Sequence, residues 1–153
     1  MAERVPTARP LGVGCVAGHV LRFHKRGQDG SGKCNAIRTG DAGDTIHGVV
    51  YAVSEKCKQL LDVAEGGYRA DQVHVQIQGA SRPCFTYLAE PGLLDESLRP
   101  FEWYKRYVLD GGIHHDLPEP YMQAVKNEQA ISDPDAARQA RHDLCLGTLE
   151  KPI

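Results

Sequence analysis

The sequence predicts an α+β fold, with candidate strands gathered in the first 90 residues and a helical last third. Short apolar runs and alternating segments with the two-residue period of strands lie between residues 20 and 89. Segments with helical spacing follow from about residue 101. No internal repeat or linker interrupts the 153 residues. We therefore expect one domain, with residues 1–130 as its main body and residues 131–153 as a C-terminal helical extension of the same domain.

The first part of the chain contains two candidate strands separated by a loop. Residues 20–24 alternate apolar and polar side chains, as the end of a strand does, and glycines mark residues 27–33 as a loop. Residues 46–53 form a β-rich, mostly apolar run that is typical of a buried strand.

A helix is predicted directly after the second of these strands. Ser54 is a good N-cap, and the pair Gly66-Gly67 is suited to end the helix. One face of this helix is apolar at the spacing i, i+3, i+4 and i+7, with Cys57, Leu60, Leu61 and Ala64.

The next two segments predict an antiparallel hairpin. Val73, Val75 and Ile77 alternate with polar residues, and a second alternating segment runs through residues 85–89 with Phe85, Tyr87 and Ala89 on one side. The turn residues of 79–83 separate them. Each strand is therefore expected to bury one face.

Three helices are predicted in the last third. The first carries Phe101, Tyr104 and Val108 on one face and is expected to end before Gly111-Gly112. The second runs from residue 119 to about residue 129. The third is expected to begin at Asp133-Pro134, with the aspartate as cap and the proline at the first helical position.

The composition is that of an ordinary globular protein, 41% apolar and 25% charged, with a net charge of −2. Such a small charge gives no long-range attraction to nucleic acid or to an anionic membrane surface. No apolar run approaches the roughly 18–20 residues that cross a bilayer, and residues 1–6 lack the apolar stretch of a signal peptide. We expect a cytoplasmic protein with no nucleic-acid partner and no membrane partner.

The cysteines do not suggest a disulfide scaffold or a zinc site. They are odd in number and scattered, and no two form a C-x-x-C pair. We expect free thiols packed as small apolar side chains at Cys15, Cys34, Cys57, Cys84 and Cys145.

Two further motifs resemble a phosphate-binding loop and a metal site, but each is better explained by a structural role. Residues 27–33 match most of a phosphate-binding loop, but Cys34 replaces the required Ser or Thr, and another glycine turn follows where a helix should begin. His114-His115-Asp116 resembles a metal cluster, but adjacent side chains rarely converge on one ion. We expect a flexible loop and a solvated turn.

A local group of basic residues is predicted to be a solvated face, although it could attract a small anionic substrate. Its members are Arg22, His24, Lys25, Arg26 and Lys33.

Glu65 is the carboxylate with the most useful position. It lies in the last turn of the predicted 54–65 helix, where the helix dipole disfavours its ionised form and is expected to raise its pKa. Leu60, Leu61 and Val63 are expected to add to this by removing water from around it. From position alone, an exposed surface glutamate is the more common explanation.

Several segments, taken in order, resemble the γ-glutamylcyclotransferase family, and together they cover about residues 4–125. Residues 4–26 and Asp29-Gly-Ser-Gly-Lys-Cys-Asn35 are similar to its second strand region and the loop that follows in bacterial members. His47-Gly-Val-Val-Tyr51 resembles its W-G-V-[VL]-[YW] strand, with His in place of the aromatic residue.

The two most informative segments of this resemblance lie further along the chain. Leu60-Leu-Asp-Val-Ala-Glu-Gly66 followed by Tyr68 resembles the segment that carries the family's catalytic glutamate. Residues 104–118 followed by Tyr121 resemble its Y-x-x-x-x-x-x-G-A-x-x-x-x-L-P-x-x-Y stretch.

The resemblance implies a small mixed β-barrel flanked by helices, with residues 1–130 as the γ-glutamylcyclotransferase-like domain. It implies cleavage of a γ-glutamyl amine or amino acid by cyclisation to 5-oxoproline, as in glutathione metabolism. It also implies Glu65 as general acid/base, with Tyr68 and Tyr104 near the substrate. A single carboxylate can carry both proton transfers, so no metal or cofactor is expected. The expected partner is a small-molecule γ-glutamyl substrate, and the expected assembly is a monomer or homodimer.

One motif of the family does not occur in the 153 residues. The family opens with a strand that ends in Tyr-Gly-Ser-Asn, whose backbone N–H groups face the γ-glutamyl moiety. Without it, a barrel is expected to have two unpaired strand edges and to lack preorganised donors, worth a few kcal/mol each. A late start codon, which we expect, and a genuine truncation both explain this.

Two other functions stay open at this point. A non-catalytic family member would bind a ligand or partner without turnover. An acyl-transfer relative would act only on a bulky γ-glutamylated carrier and leave small dipeptides intact.

Overall fold

The computed structural model describes residues 8–149, and the prediction of an α+β fold is confirmed. The helices of this part are α1 (Glu55–Ala64), α2 (Glu102–His114), α3 (Glu119–Asn127) and α4 (Ala136–Leu149), with a short 3-10 helix at Pro91–Leu93. The strands are β1 (Arg9–Ala17), β2 (His19–Arg26), β3 (Gly32–Arg38), β4 (Thr45–Ala52), β5 (Tyr68–Ile77) and β6 (Ala80–Ala89). Within the described part, no helix has the length and apolarity to cross a membrane. The segment of the resemblance that begins at Arg4 lies partly outside the described residues.

The strands form two antiparallel sheets. The larger sheet has the order β4-β1-β5-β6, and the smaller one pairs β2 with β3. The resemblance implies a small mixed β-barrel, and over residues 8–149 the larger sheet curls without closing into one.

The reason lies in how β5 is paired. It runs alongside β6 over its full length, from the pair Tyr68–Ala89 to the pair Ile77–Ala80. It pairs with β1 only through its last two residues, at Ile77 and Gln76. Over residues 68–75 its second edge has no strand partner in the described part of the chain, and β3 pairs with β2 alone.

The predicted hairpin is present, but its register places the predicted apolar sides of the two strands on opposite faces of the sheet, since Phe85 pairs with Gln72 and Val73 pairs with Cys84. Val73, Val75 and Ile77 are buried at 4–7% exposure and form one apolar cluster, while the residues between them are exposed. The turn is shorter than predicted and consists of Gln78-Gly79, so that residues 80–83 belong to β6. Pro83 is accommodated because β6 is an edge strand.

Helix α2 extends beyond its predicted end and packs against α3. It continues through Gly111-Gly112 to His114. A side chain at residue 112 would overlap the Met122 side chain of α3. The glycine therefore permits close helix packing here and does not end the helix.

Helix α4 begins two residues later than predicted. Asp135 is its cap, because the Asp135 carboxylate accepts a hydrogen bond from the Arg138 N–H at 3.0 Å. The carboxylate of Asp133 is engaged elsewhere: it accepts from the Trp103 indole N–H at 2.9 Å and from the Arg138 guanidinium at 2.6 Å. These bonds join α4 to α2, where Phe101, Trp103 and Leu146 form a buried cluster.

A buried polar network joins the two sheets. Nδ1 of the His24 ring lies 2.7 Å from the carboxylate of Glu96, and Nε2 lies 3.1 Å from the amide nitrogen of Asn35. The Asn35 Oδ1 in turn accepts from the Ala89 N–H at 2.8 Å. Every group in this chain of bonds is satisfied in a single orientation of the Asn35 amide.

Asn35→Ala is expected to lower the free energy of unfolding by about 2–4 kcal/mol, because it leaves the buried Ala89 N–H and His24 Nε2 without partners. Urea unfolding followed by circular dichroism measures this. Asn127→Ala is the matched control: Asn127 is exposed and bonds only the neighbouring Gln123 side chain, so its loss should change stability by less than about 0.5 kcal/mol. Equal effects of the two substitutions would contradict the assigned network.

Candidate active site

Glu65 stands at the end of α1, at the point where the chain turns into β5. Ser54 caps the helix as predicted, its hydroxyl accepting from the Cys57 N–H at 3.3 Å. The helix ends at Ala64, and Glu65 is its C-cap, with its own N–H bonded to the Leu61 carbonyl at 2.8 Å. The Glu65 side chain is half-buried.

The apolar surroundings expected for Glu65 are present only in part. Leu61 is buried, but Leu60 is 53% exposed and Val63 is 85% exposed. The buried residues of α1 are Cys57 and Leu61, which pack against neighbours that include Tyr87. Since successive helical residues are 100° apart, a helix that packs through this narrow stripe leaves Leu60 and Val63 facing solvent. The expectation that these two side chains remove water from Glu65 is therefore wrong.

The turn after Glu65 requires glycine. Gly67 has a φ of +80°, which side-chain-bearing residues rarely adopt, and a Cβ there would overlap the Leu93 side chain and crowd Lys25. The turn is closed by a hydrogen bond from the Tyr68 N–H to the Glu65 carbonyl at 3.0 Å. The position of Glu65 relative to the start of β5 is thereby fixed.

Lys25 reaches this turn from β2. Its Nζ donates to the Gly66 carbonyl at 3.2 Å and lies 4.5 Å from the centre of the Tyr68 ring. The residue is only 7% exposed, and His24 is only 3% exposed. The prediction of a solvated basic face therefore holds for Arg22 and Arg26, which are exposed, and is wrong for these two.

Tyr68 and Tyr104 meet at one residue of β3. The Tyr68 hydroxyl donates to the Cys34 carbonyl at 2.7 Å, and the Tyr104 hydroxyl accepts from the Cys34 N–H at 3.2 Å. Tyr68 and Glu65 belong to the same turn, and Tyr104 comes from α2. The structure thus brings the three predicted site residues to one region of the fold.

The titration of these groups is shifted by burial. Burial, followed by the nearby charges of Cys34 and Glu65, raises the pKa of Tyr68. Burial is also the largest cause of the raised pKa of Tyr104. The pKa of the Cys34 thiol is raised to about 11, again mainly by burial. At neutral pH the two phenols therefore keep their protons.

Tyr87 is a fourth member of this region that the sequence analysis treated only as an apolar strand residue. Its hydroxyl donates to the Asp62 carboxylate of α1 at 2.7 Å. Burial, the Asp62 bond and then the charge of Glu65 raise the pKa of Tyr87. The alternating pattern of β6 contains no signal for this contact, because the pattern reports only which face of a strand is apolar.

The loop that resembles a phosphate-binding motif is a β2–β3 connection, as expected, and β3 follows it in place of a helix. Lys33 is engaged within the chain: its Nζ bonds the Asp29 carboxylate at 2.7 Å and lies 4.5 Å from the centre of the Tyr104 ring. The lysine therefore ties the loop to α2.

The residues His114-His115-Asp116 end α2 and form the turn that follows it, as expected. The His115 ring lies 3.4 Å from the Tyr51 hydroxyl. Over residues 8–149, no group of three or more His, Cys, Asp or Glu side chains is arranged to hold a metal ion.

Two clefts lie away from Glu65. One, of about 460 Å³, lies beside the open edge of β5 and has Arg38 and His74 among its walls. The other, of about 210 Å³, lies between β2 and α3. Glu65 lines neither of them. Its charge, burial and hydrogen-bonded neighbours, and not an enclosed volume, identify the candidate site.

Gly67→Ala is expected to destabilise the protein by about 1–3 kcal/mol, because alanine at a φ of +80° is strained and its Cβ overlaps Leu93. Chemical unfolding measures the loss. Gly66→Ala is the matched control, since nothing lies within 4 Å of a Cβ at that position. A loss at residue 66 as large as that at residue 67 would contradict this account of the turn.

The free energy of unfolding is expected to fall as the pH rises from about 9 to about 11. The folded state holds the Cys34 proton up to a pKa of about 11, whereas the unfolded chain releases it near the ordinary value of 9.0. The difference amounts to at most about 2–3 kcal/mol. Urea unfolding across this range should show a shallower decline in Cys34→Ala than in the wild type. Parallel declines would show that Cys34 does not contribute.

Comparison with known proteins agrees with this architecture. The family model described as the AIG2-like family matches residues 45–125, which is more than half of the chain and includes the three predicted site residues. A search of curated proteins gave no match.

Three solved structures have a similar fold at low sequence identity. A gamma-glutamyl cyclotransferase is 22% identical, with a TM-score of 0.83 over 96% of this chain and 89% of that one. An uncharacterized protein from Homo sapiens is 23% identical, with a TM-score of 0.82 over 95% of this chain and 89% of that one. YkqA from Bacillus subtilis is 21% identical, with a TM-score of 0.69 over 80% of this chain and 46% of that one. At this identity the likeness establishes the fold, while the family model establishes the membership: the chain belongs to the AIG2-like family, the γ-glutamylcyclotransferase-like group that its motifs resemble, and it has the fold of a gamma-glutamyl cyclotransferase.

Proposed function

We propose that the protein is a γ-glutamylcyclotransferase, which converts a γ-glutamyl amine or amino acid into 5-oxoproline and a free amine, with Glu65 as the general acid/base. Family membership and the fold of the gamma-glutamyl cyclotransferase support this class of reaction. The proposed substrate is a small γ-glutamyl molecule, and the enzyme would act in the cytoplasm as a monomer or homodimer.

The reaction balances with one proton-carrying group. The α-amine of the substrate forms a bond to the γ-carbonyl carbon, and the bond from that carbon to the leaving nitrogen breaks. The Glu65 carboxylate takes a proton from the attacking nitrogen and returns one to the leaving nitrogen. Because nucleophile and electrophile belong to one molecule, the enzyme needs mainly to fold the substrate and hold it against the carboxylate.

The observation that carries the proposal is the surroundings of Glu65. It is a half-buried carboxylate at a rigid turn, with the ammonium of Lys25 bonded to the adjacent Gly66 carbonyl. Its charge acts on the phenols of Tyr68 and Tyr87, which remain protonated at neutral pH. Both phenols donate their protons elsewhere, to the Cys34 carbonyl and to Asp62, so the half-buried Glu65 carboxylate is the group of this turn that can exchange a proton with a substrate nitrogen.

Tyr68 and Tyr104 are proposed to bind the substrate. Their hydroxyls bond the carbonyl and the N–H of Cys34, which ties β3 to the start of β5 and to α2. A substrate beside Glu65 would then meet the ring of Tyr68 and preformed polar groups. Preorganised groups of this kind stabilise the transition state because they need no rearrangement during the reaction.

Glu65→Gln is expected to lower the rate of 5-oxoproline release from a γ-glutamyl dipeptide by at least about a hundredfold, because the amide cannot accept the proton. The fold should be unchanged by circular dichroism and urea unfolding. Glu55→Gln, an exposed glutamate at the other end of the same helix, is the matched control and should retain the wild-type rate.

The outcomes separate the proposal from its alternatives. Turnover retained in Glu65→Gln would remove this residue from the acid/base role. A wild-type chain that binds γ-glutamyl ligands without releasing 5-oxoproline would be a non-catalytic binding protein. Release restricted to a bulky carrier would indicate the acyl-transfer alternative.

A further inference from the structure

Lys25 is a buried cation without an anionic partner in the part of the chain that the structure describes. It is 7% exposed, and its Nζ has the Gly66 carbonyl as hydrogen-bond acceptor and the Tyr68 ring as a second neighbour. Other enclosed cations of the fold are paired differently. Lys33 bonds the Asp29 carboxylate at 2.7 Å, and Arg138 bonds the Asp133 carboxylate at 2.6 Å.

Burying an ammonium without an anionic partner is energetically unfavourable. Removing an ammonium from water is unfavourable, and one carbonyl and one aromatic face replace only part of its hydration. An ammonium has three N–H donors, and Gly66 takes one. Lysine is rarely this buried unless it is paired. An anionic group from outside the described residues would complete the site.

The position of Lys25 selects which anion this is. Its Nζ bonds the carbonyl of the residue directly after Glu65, which places the ammonium at the turn that carries the proposed base. In a γ-glutamyl group the α-carboxylate and the α-amine are attached to the same carbon. Holding the carboxylate at Lys25 would therefore direct the attacking amine toward Glu65.

We propose that Lys25 binds the α-carboxylate of the γ-glutamyl group and makes that carboxylate a requirement for binding. The inference rests on the proposed function, which it extends from the class of reaction to the group that is recognised. Lys25 selects γ-glutamyl compounds with a free α-carboxylate over analogues that lack it, and it orients the nucleophile. No covalent bond is made to Lys25.

The competing explanation is a structural one, in which Lys25 only holds the Gly66–Gly67 turn. The two roles differ in a measurable way. A turn-holding lysine affects every ligand of the site equally, whereas a carboxylate-binding lysine affects only ligands that carry the carboxylate. A pair of ligands that differ in this group alone therefore separates the two roles.

The test uses 5-oxoproline and 2-pyrrolidinone, the same ring with and without the carboxylate. Both are titrated into wild-type protein and Lys25→Met by NMR, with the free energy of unfolding measured in parallel. The substitution should weaken 5-oxoproline binding by about ten- to a hundredfold and change 2-pyrrolidinone binding by less than about twofold. Lys56→Met, which removes an exposed lysine from α1, is the matched control and should change neither.

Two results would overturn the inference: an equal change for both ligands, or wild-type protein that does not bind 5-oxoproline more tightly than 2-pyrrolidinone. If Lys25→Met does not fold, Lys25→Gln and the wild-type comparison of 5-oxoproline with its neutral carboxamide decide the question, and equal affinity for acid and amide would refute the inference.

Failure of the proposed function is visible separately, in the turnover assay. Lys25-dependent binding of 5-oxoproline in a protein without turnover would retain the carboxylate site and reject the catalysis. Wild-type turnover together with an equal effect of Lys25→Met on 5-oxoproline and 2-pyrrolidinone would retain the catalysis and reject the carboxylate site.

Discussion

Two consecutive residues of β3, Cys34 and Asn35, hold the two sheets and the helices together. The peptide groups of Cys34 are bonded by the hydroxyls of Tyr68 and Tyr104, where a neighbouring strand would otherwise bond them. Asn35 bridges the His24 ring of β2 and the Ala89 N–H of β6. Strand edges carry backbone groups that must find partners, and here side chains from three elements supply several of them.

This constraint positions the candidate site. Because Tyr68 is held at Cys34, the first residue of β5 cannot shift, and the turn that precedes it connects this fixed point to the end of α1. Glu65 lies between the two. Lys25 of β2 bonds the same turn. The proposed base is therefore positioned by the end of α1, the start of β5 and a strand about 40 residues earlier in the sequence. Gly67 makes this short connection possible, because a residue without a Cβ adopts a φ of +80° without strain.

The sequence predicted the elements well where local patterns decide them. The alternation of Val73, Val75 and Ile77 determined which face of β5 is buried, because a strand has a strict two-residue period. Ser54 marked the start of α1, since its hydroxyl satisfies an N–H within the same turn. The ends of α2 and the start of α4 were predicted less well. Gly112 packs against Met122 of α3, and Asp133 accepts a hydrogen bond from Trp103. These tertiary contacts prevail over the usual roles of glycine at a helix end and of aspartate as an N-cap.

The sequence by itself determined the fold class, the helix that ends at Glu65 and the family resemblance around it. Each of these depends on residues within a few positions of one another. Only the tertiary structure decided that Lys25 is buried, that Leu60 is exposed, and that Tyr68 and Tyr104 meet at Cys34. Burial and hydrogen bonding at these positions depend on groups 30 to 70 residues away. The free energy of such contacts depends on how the elements pack, and a local pattern contains no information about that.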